Sequence, residues 1–193
     1  KQQASRDIEY VVFEVVPSAE DIAETNQAMI DVYDEFVSAD NMKAFLLANS
    51  DRTIDNHWYK AGELNTISTA VNDYVFTDGA SVSEIISNGN TFYAVRVMES
   101  AMVPEQVYVK YAPEASEDLA AALEAAEAQW IPQTPGFEDV MTAKKGSQIT
   151  VNGLVFQVLD TKDVVPMKKV AVLEKTAVAS EKTKSGFYAQ ANT

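Results

Sequence analysis

A single imidazole bounds the chemistry this chain can perform. His57 is its one histidine, and cysteine is absent. A Ser-His-Asp or Cys-His arrangement would have to run through His57, which sits in Asp55-Asn-His-Trp58, a polar turn ahead of an expected strand. A histidine there reads more simply as a loop residue on the surface than as a general base. Zinc needs several histidine or thiolate ligands, which this composition does not supply. Calcium loops space their carboxylates as Asp-x-Asp-x-Asp-Gly; Asp51 and Asp55 stand near each other without that pattern. The carboxylate pairs Asp34-Glu35, Glu117-Asp118 and Glu138-Asp139 each fall on an expected helix. Solvation is the simpler reading for them than the flanking acid and base of a glycosidase. Gly79, Gly89, Gly146 and Gly153 read as turn glycines, and no glycine-rich phosphate loop occurs. No cofactor is implied.

Composition narrows the partners. The chain has 193 residues, 47% of them hydrophobic and 23% charged, enough apolar material for one or two small cores. A net charge of -14 repels polyanions, so nucleic acid and anionic membrane are poor partners, and solubility is the plain reading of the acidity. No run approaches the roughly 18 apolar residues that span a bilayer, so direct membrane insertion of this segment is not expected. The chain begins at Lys1 with neither Met nor a signal peptide, the pattern of a mature form or an excised fragment. Lack of cysteine excludes disulfides and leaves the compartment open.

The elements follow from periodicity. Ile8 to Val16 is β-branched and aromatic and stops at Pro17, a strand pattern. Ser18 reads as an N-cap, with Glu20 and Asp21 in the first turn and Ile22, Met29, Tyr33 and Phe36 on one inward face. Asp40 is the expected cap of a second helix carrying Met42, Phe45 and Leu46, ended by Asn49-Ser-Asp51. Trp58 to Leu64 reads as a short strand, and Ser68 or Thr69 as the cap of a helix through Val71, Val75 and Phe76. Ala101 to Gln106, with Pro104 inside, reads as a linker, and Val107 to Tyr111 as a strand. Glu117 to Trp130 is rich in Ala and Glu, a helix by propensity with Ser116 as cap, and Phe137 to Thr142 is expected to form one or two helical turns. Val170 to Leu173 is a strand pattern and Ser180 to Asn192 a polar helix.

One phrase occurs twice. Asp73 to Glu99 and Glu138 to Asp160 each run from a helical end in Val-Phe-Thr or Val-Met-Thr through a Gly and a Ser to a short strand, an Asn-Gly pair and an alternating strand. Asn-Gly between alternating runs predicts a hairpin with a type I′ turn in both copies. Two such units in the same order suggest a repeat, the second lacking any counterpart of Asp40 to Leu64.

The order strand, helix, helix, strand, helix, hairpin resembles the parvulin-type (PpiC, rotamase) peptidyl-prolyl isomerase domain. Thr91-Phe-Tyr-Ala-Val-Arg-Val97 and Gly153-Leu-Val-Phe-Gln-Val158 are similar to that family's last strand, Val109-Lys-Tyr111 to its first, and Thr134-Pro-Gly-Phe137 to the Val-Pro-Ala-Phe that opens its last helix. Residues 7 to 162 carry the likeness, and the whole is similar to part of the periplasmic folding chaperones of the SurA and PpiD type. The resemblance implies an α+β fold of two tandem parvulin-like domains, each a small mostly antiparallel sheet packed with helices. They are residues 7–100 and a shortened 107–162, joined by the linker 101–106, with 163–193 leading toward a further domain. It also implies a periplasmic or cell-envelope location, unfolded or nascent exported polypeptides as partners, and membrane anchorage of the longer protein.

The family's histidines on its first and last strands are replaced. Their positions hold Val12 and Tyr93 in the first unit and Tyr111 and Leu154 in the second. The pocket phenylalanine of the family corresponds to Val71 and to Phe137, and its Cys or Asp to Asp51. Isomerisation must lower a barrier of roughly 18–20 kcal/mol by desolvating and twisting the amide in an apolar pocket ringed by hydrogen-bonding groups. With that ring gone, the expectation is binding of polypeptide at Val12, Asp51, Val71, Tyr93, Tyr111, Phe137 and Leu154, with little or no turnover. An active isomerase and a spacer between flanking domains are the two alternatives.

Overall fold

Ser18 opens the first helix in the way its side chain suggests. In the computed structural model, which describes residues 14–112, 127–132, 143–151 and 153–191, helix α1 runs Ala19–Ser38 behind a complete capping box. The Ser18 amide donates to Asp21 Oδ2 at 2.8 Å, and the Asp21 amide donates to Ser18 Oγ at 3.2 Å. Met29 and Phe36 are fully buried, and Ile22 and Tyr33 pack beside them, so the inward face is the expected one. Helix α2 is Met42–Asn49. Its cap is Asn41 rather than Asp40: the Asn41 side chain accepts the Ala44 amide at 3.0 Å. Strand β1 is only Trp58–Lys60, because Gly62 turns into the left-handed region (φ 96°) and starts a short 3-10 helix, Glu63–Thr66. Helix α3 is Thr69–Val75. Residues 14 to 18 are not strand, and the rest of the expected strand from Ile8, with Val12, lies outside the described residues.

Two long strands carry the molecule. After β2 (Ile86–Asn88), strand β3 runs Thr91–Tyr111. Strands β4 (Ala128–Pro132) and β5 (Gln148–Val151) follow, then β6 (Leu154–Thr176) and helix α4 (Glu181–Ala191). β3 and β6 pair antiparallel from Thr91 with Thr176 to Tyr111 with Phe156. At one end the order is β1-β6-β3-β2; at the other, β4 flanks β3 and β5 flanks β6. The fold is α+β with an antiparallel sheet.

Strand alternation sorts the core of the first end, which we call lobe one. Phe92, Ala94, Ala171 and Leu173 face α1 and α2, while Tyr93, Val95, Val170 and Val172 face α3 and the 3-10 helix. Both faces are covered, so these strands read as continuous apolar runs. In lobe two, Val107, Val109, Ile149, Phe156 and Val158 form a separate small core.

Three expected elements change. Residues 101–106 are the middle of β3 rather than a linker. Pro104 lies opposite Val164 in the ladder, a place a proline can hold when its nitrogen faces away from the paired strand. The residues read as a C-terminal strand belong to β6, the middle strand of lobe one, rather than to a separate tail. Residues 128–130, read as a helix end, start β4, with Trp130 opposite Tyr108 and their rings 5.0 Å apart. The rest of that expected helix and Phe137 to Thr142 lie outside the described residues.

The repeated phrase forms two hairpins, one at each end of the ribbon, whose long strands zip together. Their turns differ. In the first, Asn88 pairs with Thr91, so Gly89 and Asn90 make the turn, with Gly89 at φ 63°. Glycine in the first of two turn positions is the type II′ pattern, not type I′. Asn90 is held there by Ala177, whose amide donates to the Asn90 carbonyl at 2.8 Å. In the second, Gly153 takes the last turn position at φ 78°, and Asn152 lies outside the described residues.

Helix α4 is docked by a shared carboxylate. Thr183 Oγ1 donates to Asp21 Oδ2 at 2.6 Å, and Lys182 pairs with Glu20. The Thr183 hydroxyl, then those of Ser180 and the Ser18 amide, hold the Asp21 carboxyl well below the usual carboxylate range. A depressed pKa gives stability that is present above the ordinary value and fades only in stronger acid, so this joint persists across ordinary pH.

Candidate functional site

Those expected site residues that are described do not converge. Tyr93 and Val71 meet in one cluster, yet that cluster is a filled core: Val71 is fully buried, and the Tyr93 hydroxyl donates to the Ile67 carbonyl at 3.4 Å. Burial, followed by the Glu174 charge, raises the Tyr93 pKa. Asp51 ties the chain to β6 instead of lining a cavity. Its amide donates to the Glu174 carbonyl at 2.8 Å, and its Oδ2 accepts the Thr176 amide at 2.8 Å. In lobe two Tyr111 lies edge-on to Phe156 at 5.9 Å, and Tyr111 and Leu154 are both exposed. Val12 and Phe137 lie outside the described residues.

A groove opens elsewhere, between α2 and the β6 edge. It encloses about 620 Å³, within the usual size of ligand sites. Met42, Leu46 and Leu47 come from α2, Ile54 from the following loop, and Met98 from β3. Leu47 is 70% exposed and Met98 44%. Met98 reaches the groove because it is the extra residue of a β-bulge between Val97 and Glu99. The edge of β6 beside it is broken: β1 pairs with residues 167–169, and Ser50 and Asp51 bond to residues 172–176. No strand among the described residues pairs with Val170 or Ala171 on that side.

The rim is polar and internally satisfied. Arg52 lies 3.8 Å from Asp55 and 3.9 Å from Glu174, and Lys169 pairs with Glu99 at 3.2 Å while sitting over the Trp58 ring. The Tyr59 hydroxyl donates to Asp55 at 2.6 Å. Burial first, then that bond and the Asp55 charge, push the Tyr59 pKa up to about 12. A raised folded pKa means a contribution complete below the ordinary tyrosine value of about 10 and lost as pH climbs through the folded one. Ultraviolet titration is therefore expected to show one tyrosine ionising last, near pH 12, and Tyr59→Phe to remove that final step. Loss of an earlier step in the variant would refute the assignment.

His57 stacks edge-on against Tyr59 at 4.8 Å, and its amide donates to Asp55 at 3.4 Å. No cluster of three His, Asp or Glu among the described residues is arranged to hold a metal. Nor is any helix among them long and apolar enough to cross a membrane. The groove was legible in one detail: Phe45-Leu46-Leu47 is three consecutive apolar residues on a helix, and they cannot all face one core. No protein-family model, curated protein or solved structure matches the chain.

Proposed function

We propose that this chain is the polypeptide-binding part of a cell-envelope folding factor of the parvulin-bearing kind, and that it holds unfolded exported chains without isomerising them. The observation that carries this reading is the groove. It offers Leu47 and Met98 to solvent beside the interrupted edge of β6. An extended apolar segment suits both features, since its side chains can enter the groove while its backbone lies along the edge. Burying one such side chain is worth about 1.5–3 kcal/mol, enough for weak, exchangeable binding from a few contacts.

The test uses the exposed residues, so that folding is spared. Leu47→Asp and Met98→Asp are expected to weaken binding of a permanently unfolded model polypeptide about tenfold, read by fluorescence anisotropy. Suppression of client aggregation should fall in parallel. The same protein should show no turnover in a protease-coupled proline isomerisation assay; turnover near that of an active parvulin would replace the proposal with the isomerase reading. A spacer role has its own support, because the Tyr93 and Val71 positions are occupied by the protein's own core. Unchanged binding and aggregation suppression in both groove variants would favour that role.

A further inference from the structure

The lobes are joined by a narrow neck. β1 flanks β6 no further than Met167, and β4 flanks β3 no further than Gln106. Between them, Met102 to Glu105 and Asp163 to Pro166 form a ribbon that is two strands wide among the described residues. Two-stranded ribbons are weak by themselves and twist more than wide sheets.

The neck is also irregular. Its ladder passes from Pro104–Val164 to Gln106–Lys162 and skips Glu105 and Asp163. Asp163 has φ 52°, the only non-glycine among the described residues in the left-handed region. Aspartate tolerates that conformation better than most residues. Prolines stand at 104 and 166, and register shifts flank the neck at Val97/Glu99 and at Tyr108/Val109. Val103 and Pro104 point to opposite faces and are both buried, while Met102 and Val164 are exposed, so only bends that keep both of them covered are open to the neck. Glu105, left out of the ladder, is reached instead from lobe one: Lys60 Nζ lies 2.9 Å from its Oε1.

We propose that the neck at Glu105 and Asp163 is a hinge about which lobe two reorients against lobe one, and that the Lys60–Glu105 ion pair favours the orientation described above. The Lys60 and Glu105 side chains are 32% and 40% exposed. An exposed pair of this kind biases a two-state equilibrium by roughly two- to fivefold, which suits a hinge that must also open. The hinge stands whether or not the groove binds polypeptide.

The chain has no cysteine, so introduced ones are unambiguous labels. Spin labels at Ala28→Cys on α1 and Thr150→Cys on β5 report the distance across the neck by pulsed electron resonance. Labels at Ala28→Cys and Asp73→Cys report within lobe one. The cross-lobe distribution is expected to be the broader of the two. It should widen about twofold in Glu105→Gln and in Lys60→Gln, and at about 1 M salt, where screening shortens to ~3 Å. Unchanged thermal unfolding of both variants excludes loss of fold as the cause. A cross-lobe distribution as narrow as the intralobe one under all three conditions overturns the hinge. A broad one that ignores both variants and salt overturns the role of the ion pair.

Discussion

A chain ending after Val165 is expected to lose lobe one altogether. The deleted segment holds the half of β6 that lies between β1 and β3. It supplies Ala171 and Leu173 to the α1/α2 face and Val170 and Val172 to the α3 face. The three larger side chains, Val170, Val172 and Leu173, at about 1.5–3 kcal/mol each come to roughly 4.5–9 kcal/mol, comparable to the whole stability of an ordinary domain. The same deletion strips β3 of its partner and leaves Ser50, Asp51 and Asn90 without the bonds that anchor them. Circular dichroism should show no cooperative thermal transition from the helices. Retention of a cooperative helical transition by the truncated chain would sink this prediction and restore the reading of residues 163–193 as a separable tail.

Phe36→Ala is expected to cost about 3–5 kcal/mol, because it empties a wholly buried aromatic site. Phe36 packs against the Phe45 ring at 5.9 Å and joins α1 to α2 over the sheet. The cavity would lie where two helices and a strand meet, so little of it can close by local collapse. Urea denaturation measures the loss, with Ile30→Ala on the outer face of α1 as control, expected to change stability by no more than about 0.5 kcal/mol. Equal effects of the two changes would mean that the inward face of α1 is misassigned.

Helices α1 to α4 were legible because their signals are local. Ser18 and Asp21 are three residues apart and cap each other, and the inward face of α1 is set by a period of 3.6. Where two local candidates competed, geometry chose: Asn41, not Asp40, reaches the Ala44 amide. The first hairpin was legible as a hairpin, while its turn frame was not, since Ala177 from the far end of the chain holds Asn90 in place.

By itself, then, the sequence determined helices α1 to α4, the two hairpins, the absence of thiol chemistry and the acidic surface. Each follows from composition or from residues a few positions apart. The tertiary structure decided that Pro104 lies within a strand, that Val170 to Leu173 complete lobe one, and that Tyr93 and Val71 fill a core. It also decided that Leu47 and Met98 open a groove. These outcomes depend on β3 finding β6, with the partners Thr91 and Thr176 standing 85 positions apart in the chain. A strand's own residues state which faces it can bury, but only its partner decides which neighbours cover them.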